Sequence, residues 1–449
     1  MRFDFLDMAP EDTCLLDTLD REAVAWKGKI PVRGAGTSAP WPGSLAFSAD
    51  GKLLACGTAG RVSIVNTADW KFLRSGRWNG STGDDEETAA YKEYGAHYLK
   101  HCMSTVRFSP DGRTIYAGEE AGVVYAWDVA TGELRWRREG AWFHAVSPDG
   151  KYLVGTANKR AREEFIGKRD DEDAREKVLD KVHVLDAATG ERVASVPLAS
   201  TLRPEGYGYE QGDHRHWAYA GRGDLTAGAM AFSADGRWLV CGIAHPCFGA
   251  DPLVLVDARD WTTATAHNIP GFDVFMIPAG ERLPWGAIAR EGDFRRLYDN
   301  EFFTQVAFSP DERWLLRTDG VSARLWRVGN APGEWRGGDH VGMYLLPGVE
   351  HVDFTDTAGA AFLGSTGLIA IAHNPPGHVE IVAGTMVDDG TLGTKRVHGT
   401  RGRRIAVFDP GLTPTSVLAS PDGRWLVVGG YIGVGVFDMA PVIERNIPS

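Results

Sequence analysis

Residues 104–139 read STVRFSPDGRTIYAGEEAGVVYAWDVATGELRWRRE and contain four β-prone runs, 105–109, 114–118, 123–129 and 134–138. The runs are separated by Ser-Pro-Asp-Gly, Glu-Glu-Ala-Gly and Ala-Thr-Gly-Glu, all of which are rich in turn-forming residues. This pattern predicts a four-stranded antiparallel meander. A single meander cannot bury both of its faces, so the fold requires similar sheets packed on either side of it.

The Ser-Pro-Asp-Gly hairpin recurs along the chain after an apolar residue and before a short apolar run. Proline sets φ for the turn, aspartate hydrogen-bonds nearby backbone, and glycine supplies a positive φ. The six clear copies are Phe47–Gly51, Phe108–Gly112, Val146–Gly150, Phe232–Gly236, Phe308–Glu312 and Ala419–Gly423. A weaker match at Phe354–Gly359 brings the number to seven. Repeats of this kind are typical of propeller blades of about 40 residues that carry insertions.

We therefore predict an all-β fold, a single seven-bladed β-propeller of four-stranded antiparallel blades with long loop or helical insertions on one face. The predicted blades span approximately 41–76, 104–140, 141–199, 228–270, 304–337, 349–411 and 414–440. Residues 1–40 are expected to supply a ring-closing strand within Ala23–Val32, and residues 441–449 a C-terminal tail. Pairing of that strand with the last blade would remove exposed sheet edges.

Third strands tend to end in an acidic residue that follows an aromatic or aliphatic side chain. Aspartate in this position is expected to cap the following turn, so we interpret these residues as part of the scaffold. They are Asp128, Asp186, Asp257, Asp409 and Asp438.

Residues 349–410 allow two assignments of their strands. In one, His351–Thr355 is the first strand and Phe354–Gly359 the weak hairpin. In the other, Ile369–His378 is a degenerate hairpin and Ile405–Asp409 the third strand, which leaves few residues for a fourth. Both assignments keep seven blades, and the sequence does not choose between them.

The hairpins and the Trp127-Asp128 pair make most of residues 41–440 resemble the WD-repeat family of β-propellers and its relatives with Phe-Ser-Pro-Asp-Gly hairpins. The chain departs from that family in lacking the Gly-His pair at the start of the blades. Trp-Asp also ends a third strand only once. The resemblance implies a rigid platform for protein assembly that has no catalysis or cofactor of its own.

Composition limits the function classes further. A net charge of −12 and a pI of about 5.6 argue against general affinity for nucleic acid or anionic membrane. The five cysteines are odd in number and scattered, which argues against a disulfide framework and favours a reducing cytoplasm. Met1–Asp20 is acidic and lacks the pattern of a secretory signal, and no apolar run approaches the roughly 20 residues of a membrane span. We therefore expect a soluble, cytoplasmic protein.

Long insertions interrupt the repeats. In a meander, the junctions between fourth and first strands and between second and third strands lie on one face of the disc, which we call the loop-bearing face. The short Ser-Pro-Asp-Gly turns lie on the opposite face, the hairpin face. We assign 77–103, 157–181, 200–227, 244–252, 270–303 and, by the same rule, 387–403 to the loop-bearing face. A rigid scaffold with elaborated loops on one side is typical of a binding surface.

The insertion at 203–224 mixes aromatic residues with histidine and arginine, a composition favoured at protein interfaces. Its candidate partner-binding residues are Tyr207, Tyr209, His214, Arg215, His216, Trp217 and Tyr219. The alternative is a loop that folds over its own blade. A basic patch within Lys395–Arg404 would suit an acidic partner or a phosphate, or would neutralise acidic loops nearby. Its candidate residues are Arg401, Arg403 and Arg404.

Signals for catalysis and metal binding are weak. His97 and His101 stand four residues apart without a third ligand, and the Cys241–Cys247 segment fits no common zinc spacing. We assign no catalytic, metal-binding or cofactor-binding residue. The preferred function is a non-catalytic scaffold that binds another protein through the loop-bearing face within a larger complex. The alternative is a propeller enzyme, lactonase-like or a metal-dependent hydrolase, that uses the central pocket of that face.

Overall fold

The computed structural model describes sixteen segments of the chain. They are residues 25–30, 44–58, 61–77, 103–119, 122–156, 181–197, 226–244, 253–267, 304–319, 323–328, 336–342, 356–374, 377–383, 403–412, 414–430 and 433–446.

Strands of these segments form seven four-stranded antiparallel sheets, the blades of the ring. Blade 1 holds β2 (Ser44–Phe47), β3 (Leu53–Thr58), β4 (Arg61–Asn66) and β5 (Lys71–Arg77), and blade 2 holds β6 (Met103–Phe108), β7 (Thr114–Glu119), β8 (Val123–Asp128) and β9 (Leu134–Glu139). Blade 3 holds β10 (Trp142–Val146), β11 (Tyr152–Thr156), β12 (Lys181–Asp186) and β13 (Arg192–Pro197), and blade 4 holds β14 (Thr226–Phe232), β15 (Trp238–Ala244), β16 (Leu253–Asp257) and β17 (Thr262–His267).

Blade 5 holds β18 (Thr304–Phe308), β19 (Trp314–Asp319), β20 (Ala323–Arg327) and β21 (Arg336–Gly342), and blade 6 holds β22 (Asp356–Phe362), β23 (Leu368–Asn374), β24 (His378–Ala383) and β25 (Arg403–Phe408). Blade 7 holds β26 (Pro414–Ala419), β27 (Trp425–Gly430), β28 (Gly433–Asp438) and β1 (Ala25–Ile30), and helix α1 (Ala440–Asn446) follows. The predicted all-β, seven-bladed propeller is confirmed.

First strands of successive blades pack side by side around the ring, and β2 of blade 1 also contacts β26 of blade 7. Closure is completed by β1, which pairs antiparallel with β28 in a register that places Ala25 opposite Asp438 and Ile30 opposite Val434. Because β28 has partners on both sides, its edge is not open to another chain. Helix α1 packs Val442, which is 1% exposed, against the core between blades 6 and 7.

Core side chains lie between neighbouring blades rather than within one sheet. Val106 and Tyr125 of blade 2, for example, are buried with Ala46, Val62 and Ile64 of blade 1. Each blade is therefore apolar on both faces, as the nearly continuous apolar sequence of β8 requires. Burial of one such side chain contributes about 1.5–3 kcal/mol, so the blades hold one another in place.

Both assignments of blade 6 from the sequence are wrong. The first hairpin joins β22 to β23 at residues 363–367, and the strand that ends at Phe408 is the fourth strand of the blade, not the third. Leu363 stands where the other hairpins have serine. The hydroxyl of Thr366 takes the place of the missing serine hydroxyl. Its Oγ1 donates to the Leu363 carbonyl at 2.6 Å and accepts from the Leu368 N–H at 3.2 Å.

One insertion was assigned to the wrong face. The segment predicted as 387–403 joins β24 to β25, a junction between third and fourth strands, so the strand ends that flank it lie on the hairpin face. The error follows from the misassigned strands of blade 6. The other five predicted insertions connect β5 to β6, β11 to β12, β13 to β14, β15 to β16 and β17 to β18, and the strand ends that flank them lie on the loop-bearing face.

Candidate functional site

The hairpin face is built from turns that satisfy their own polar groups. In blade 2 the Ser109 hydroxyl donates to Asp111 Oδ1 at 2.5 Å and accepts from the Thr114 N–H at 2.9 Å. Asp111 Oδ1 also accepts from the Arg113 N–H at 3.0 Å, and Gly112 has a φ of 70°. The serine therefore ties both ends of the turn together. Sequence reasoning explained proline, aspartate and glycine here but gave the serine no role.

The same pairs close five further hairpins. They are Ser48 with Asp50, Ser147 with Asp149, Ser233 with Asp235, Ser309 with Asp311, and Ser420 with Asp422. The hydrogen bond from Ser48, followed by that from the Lys52 backbone, lowers the pKa of Asp50 to about 2. These carboxylates are hydrogen-bond acceptors of the scaffold.

Aspartates at the ends of third strands cap the next turn, as predicted. Asp128 Oδ1 accepts from the N–H groups of Ala130 and Thr131, both at 2.9 Å, and Asp186 does the same in blade 3. The Arg135 guanidinium donates to the other oxygen of Asp128 and is the main reason why the pKa of this carboxyl falls to about 2. The aspartate predicted in blade 6, Asp409, caps a turn after the fourth strand and accepts from the Gly411 N–H.

Hairpins touch one another at several junctions between neighbouring blades. A Cβ atom on Gly150 would lie 3.2 Å from Pro110 Cδ of the preceding blade, and one on Gly51 would lie 3.6 Å from Pro421 Cδ. Between blades 4 and 5 the Ala234 N–H donates to the Glu312 carboxylate. These contacts join the hairpins of several neighbouring blades on the hairpin face.

A groove of about 820 Å³ lies on the hairpin face where blade 7 meets blade 1. We call it the closure groove. Two indole rings, Trp70 and Trp425, and two cations, Lys52 and Arg424, are part of its lining. The remaining lining residues are Ala49, Asp50, Gly51, Thr67, Ala68, Pro421 and Asp422. The groove therefore combines aromatic surface with exposed charge.

A polar cluster lies in the core at the opposite end of blade 6. His373 Nε2 is 3.5 Å from Glu380 Oε2, and the His378 ring stacks on the His373 ring with centroids 4.7 Å apart. By strand alternation these side chains share the face of blade 6 that packs on Leu316 and Ala323 of blade 5. Within the described segments, no group of three or more histidine, cysteine, aspartate and glutamate side chains could hold a metal ion.

The described cysteines are buried and chemically inert. Burial raises the pKa of the Cys56 thiol to about 12 and also raises the pKa of the Cys241 thiol. A protonated, solvent-inaccessible thiol is a poor nucleophile and a poor metal ligand. The other residues of the weak metal signals, His97, His101, His245 and Cys247, lie outside the described residues.

The predicted partner-binding residues belong to two segments whose flanking strands end on different faces. Tyr207, Tyr209, His214, Arg215, His216, Trp217 and Tyr219 lie outside the described residues, in the segment that joins β13 to β14, whose ends are on the loop-bearing face. Arg401 is also outside the described residues. The backbone of Arg403 and Arg404 begins β25 on the hairpin face. The described strands that flank the two predicted sets therefore end on opposite faces.

Fold and surface together define a seven-bladed β-propeller with self-closed turns on one face. Solved structures with the same fold include hydrazine synthase from Kuenenia stuttgartiensis, with a TM-score of 0.58 and 15% identity over 92% of this chain and 99% of that chain. The Cps50 (Swd1) β-propeller domain from Myceliophteria thermophila has a TM-score of 0.58 and 12% identity over the same shares. At these identities the likeness shows the fold alone.

No protein-family model and no curated protein sequence matches the chain. The propeller implied by the WD-repeat resemblance is thus confirmed by structure, and the WD-repeat family itself stays a resemblance carried by the hairpins. In the part of the chain that the structure describes, no helix is both long and apolar enough to cross a membrane.

Proposed function

We propose that this chain is a non-catalytic protein-interaction scaffold that binds a protein partner through its loop-bearing face, within a larger complex. The observation that carries the proposal is the placement of five long insertions between strand ends of that face. On the opposite face, six hairpins close on themselves through serine and aspartate. Long loops held by a rigid frame are a common means of presenting binding residues.

Rigidity of the frame supports this proposal. The ring is closed by β1 on β28, its blades share buried cores, and its hairpins contact one another. A frame of this kind loses little conformational entropy when a partner binds to its loops. The aspartates of the hairpins accept hydrogen bonds within their turns, a structural task that differs from general acid or base chemistry.

The aromatic residues of the insertion at 203–224 are the proposed centre of the interface, because tyrosine and tryptophan carry much of the binding energy in protein complexes. Replacing both Trp217 and Tyr219 with alanine should weaken partner binding about tenfold or more without changing the melting temperature. The basic group of Arg401, Arg403 and Arg404 is proposed as a separate contact for an acidic partner. Cysteine usage supports a cytoplasmic location.

The proposal is tested by affinity capture from extract of the source cell, followed by mass spectrometry. The intact protein is compared with one in which residues 203–224 are replaced by a short Gly-Ser linker. A matched control replaces residues 384–394, which precede the basic group in the segment that joins β24 to β25, two strands whose facing ends lie on the hairpin face. Circular dichroism and a melting curve establish first that all three proteins fold.

A stoichiometric partner that is lost with the first replacement and kept with the second is the expected result. Equal capture by all three proteins would place the interface elsewhere. Capture of no partner by the intact protein would also contradict the scaffold. Metal analysis and assays of small-molecule hydrolysis would then examine the enzyme alternative.

A further inference from the structure

The closure groove lies at a blade junction that small side chains leave open. Four residues after the end of the third strand, blades 1 and 4 both carry a tryptophan that meets an aromatic ring of the preceding blade, Trp70 in blade 1 and Trp261 in blade 4. Two residues after the strand end, blade 4 has Arg259, whose guanidinium pairs with Asp257 at 2.5 Å. Blade 1 has Ala68 at that place, which is exposed and lines the groove. The groove therefore has space where blade 4 carries a long side chain.

Trp70 occupies a backbone position that suits glycine. The residues at the same place in blades 2 and 3 are Gly132 and Gly190, with φ angles of 76° and 71°, and Trp70 has a φ of 55°. A side chain in this region is strained and glycine is not, so it is the indole ring that accounts for a tryptophan here. The ring is partly buried and Trp70 is part of the lining of the groove. Its remaining surface is an apolar contact for a ligand.

One carboxylate of the groove keeps an oxygen that its own hairpin does not use. In blades 1, 3 and 5 the cation that ends the hairpin pairs with the aspartate of the same turn, at 3.1 Å in the case of Lys52. The corresponding cation of blade 7, Arg424, lies instead over the Trp425 ring and 3.5 Å from Asp438. Asp422 Oδ1 accepts hydrogen bonds within its turn, and among the described residues no cation pairs with Asp422 Oδ2. This oxygen can accept from a ligand.

The groove offers hydrogen-bond donors and acceptors without a net charge. Its charged lining consists of two carboxylates, Asp50 and Asp422, and two cations, Lys52 and Arg424. Lys52 is 78% exposed, and its ammonium has three N–H groups, of which Asp50 needs one. The Thr67 hydroxyl donates to a backbone carbonyl of the hairpin at 2.7 Å and keeps its oxygen as an acceptor. A charged ligand would meet a like charge here, whereas a neutral ligand with both donors and acceptors would not.

We propose that the closure groove binds a neutral pyranose sugar, with a C–H face of the sugar ring against the Trp70 indole and hydroxyl groups hydrogen-bonded to Asp422 Oδ2 and Lys52 Nζ. A pyranose meets these requirements, because its hydroxyl groups donate and accept while its ring C–H groups are apolar and carry the partial positive charge that an indole face attracts. The volume of about 820 Å³ suits a small ligand, since such sites measure roughly 300–1,000 Å³. This inference is independent of the proposed function, which concerns the opposite face.

Saturation-transfer difference NMR of the full-length protein tests the proposal. The neutral probes are D-glucose, D-galactose, D-mannose and N-acetyl-D-glucosamine, each at about 10 mM, a concentration that fills a site with a millimolar Kd. N-acetylneuraminic acid and D-glucosamine are the anionic and cationic comparisons. At least one neutral sugar should receive saturation from the protein, and the charged sugars should receive less. No saturation of any neutral sugar, or equal saturation of the charged ones, would overturn the proposal.

Two matched pairs of variants locate the sugar. Trp70→Gly removes the indole at a φ that glycine accepts, and its control is Trp261→Gly at the same place in blade 4. Ala68→Arg fills the groove and removes no contact, and its control is Ala130→Arg at the same exposed place in blade 2. The first variant of each pair should weaken sugar binding about tenfold, and its control should leave binding unchanged.

A third pair examines the acceptor. Asp422→Asn keeps Oδ1 for the turn and replaces Oδ2 with a donor, so it should weaken binding about threefold, whereas Asp149→Asn in blade 3 should not. Melting curves establish which variants fold, and if Trp70→Gly does not, the pair of Ala68→Arg and Ala130→Arg decides. Equal effects of a groove variant and its control would overturn the proposal and place any sugar elsewhere on the protein.

Discussion

Trp70 of blade 1 meets Trp425 of blade 7 edge to face, with ring centroids 5.1 Å apart and ring planes at 80°. Trp70 lies in the turn between β4 and β5 with a φ of 55°. The arrangement recurs between blades 3 and 4, where Trp261 has a φ of 59° and meets Tyr152 at 5.2 Å. A strained turn thus directs a large ring across the junction to the preceding blade.

Two substitutions of Trp70 distinguish the contribution of its ring contact with Trp425 from the strain of its positive φ. Trp70→Ala should lower the free energy of unfolding by about 1–2 kcal/mol, because an edge-to-face pair and part of an indole's burial are lost. Trp70→Gly loses the same contact but accepts the positive φ, so it should be more stable than Trp70→Ala by about 1 kcal/mol. Urea unfolding measures both values, and a glycine variant less stable than the alanine variant would contradict the strain.

The hydroxyl of the hairpin serine is expected to contribute more to the free energy of unfolding than an ordinary surface group does. Ser109→Ala leaves the Thr114 N–H without its acceptor in a buried turn and should cost about 1–3 kcal/mol. Ser365→Ala, at an exposed position in the blade 6 hairpin, is the control and should stay within about 0.5 kcal/mol of wild type. Urea unfolding measures the free energy of unfolding of both variants. Equal losses would show that the Ser109 hydroxyl contributes no more to stability than an exposed serine does.

Acid should destabilise the ring through the aspartates of its turns. Hydrogen bonds lower the pKa of Asp50 and of Asp128 to about 2, below the unfolded value of about 3.8. Their contribution is present above about pH 4 and is lost as the pH falls towards 2, because the unfolded chain takes up protons first. The urea concentration at the midpoint of unfolding should therefore be lower at pH 2.5 than at pH 4.5.

The acid response should shrink in Ser48→Ala. The Ser48 hydrogen bond is the largest cause of the low pKa of Asp50, so its removal brings the folded and unfolded values closer together. The expected result is a smaller fall of the urea midpoint between the two pH values than in the wild type. A fall as large as that of the wild type would show that Asp50 does not contribute.

Two glycines with nearly equal φ angles separate backbone strain from a clash. Gly190 has a φ of 71°, and a Cβ there would lie 2.6 Å from Trp136 Cε3 and from Arg138 Cγ. Gly112 has a φ of 70° and nothing within 4 Å of its Cβ position. Gly112→Ala should cost about 1 kcal/mol from φ alone.

Gly190→Ala should cost at least about 1 kcal/mol more than Gly112→Ala, because the ring of Trp136 must also move. That ring is held in place, since its Nε1 donates to the Ala187 carbonyl at 3.1 Å. Thermal or urea unfolding of both variants supplies the comparison. Similar stabilities of the two variants would mean that the Trp136 ring moves aside without a loss of free energy.

Much of the fold was predictable because its signals are local. Serine, aspartate and glycine within five residues close a hairpin by themselves, and the short apolar runs on either side form the paired strands. The first hairpin of blade 6 was not recognised in the sequence, because it has Leu363 in place of serine. Its turn is closed instead by the hydroxyl of Thr366. The face of the insertion before Arg403 was then assigned wrongly, because it depends on the order of strands within that blade.

Some features of the candidate sites were likewise predictable from local sequence, and others were not. The sequence by itself determined the number of blades, the acidic caps and the aromatic composition of the insertion at 203–224, since each depends on residues close together in the chain. The tertiary structure decided that Trp70 faces Trp425 and that Ala25 pairs with Asp438 to close the ring. No local pattern encodes such contacts, because they form only when packing between successive blades brings the two ends of the chain together.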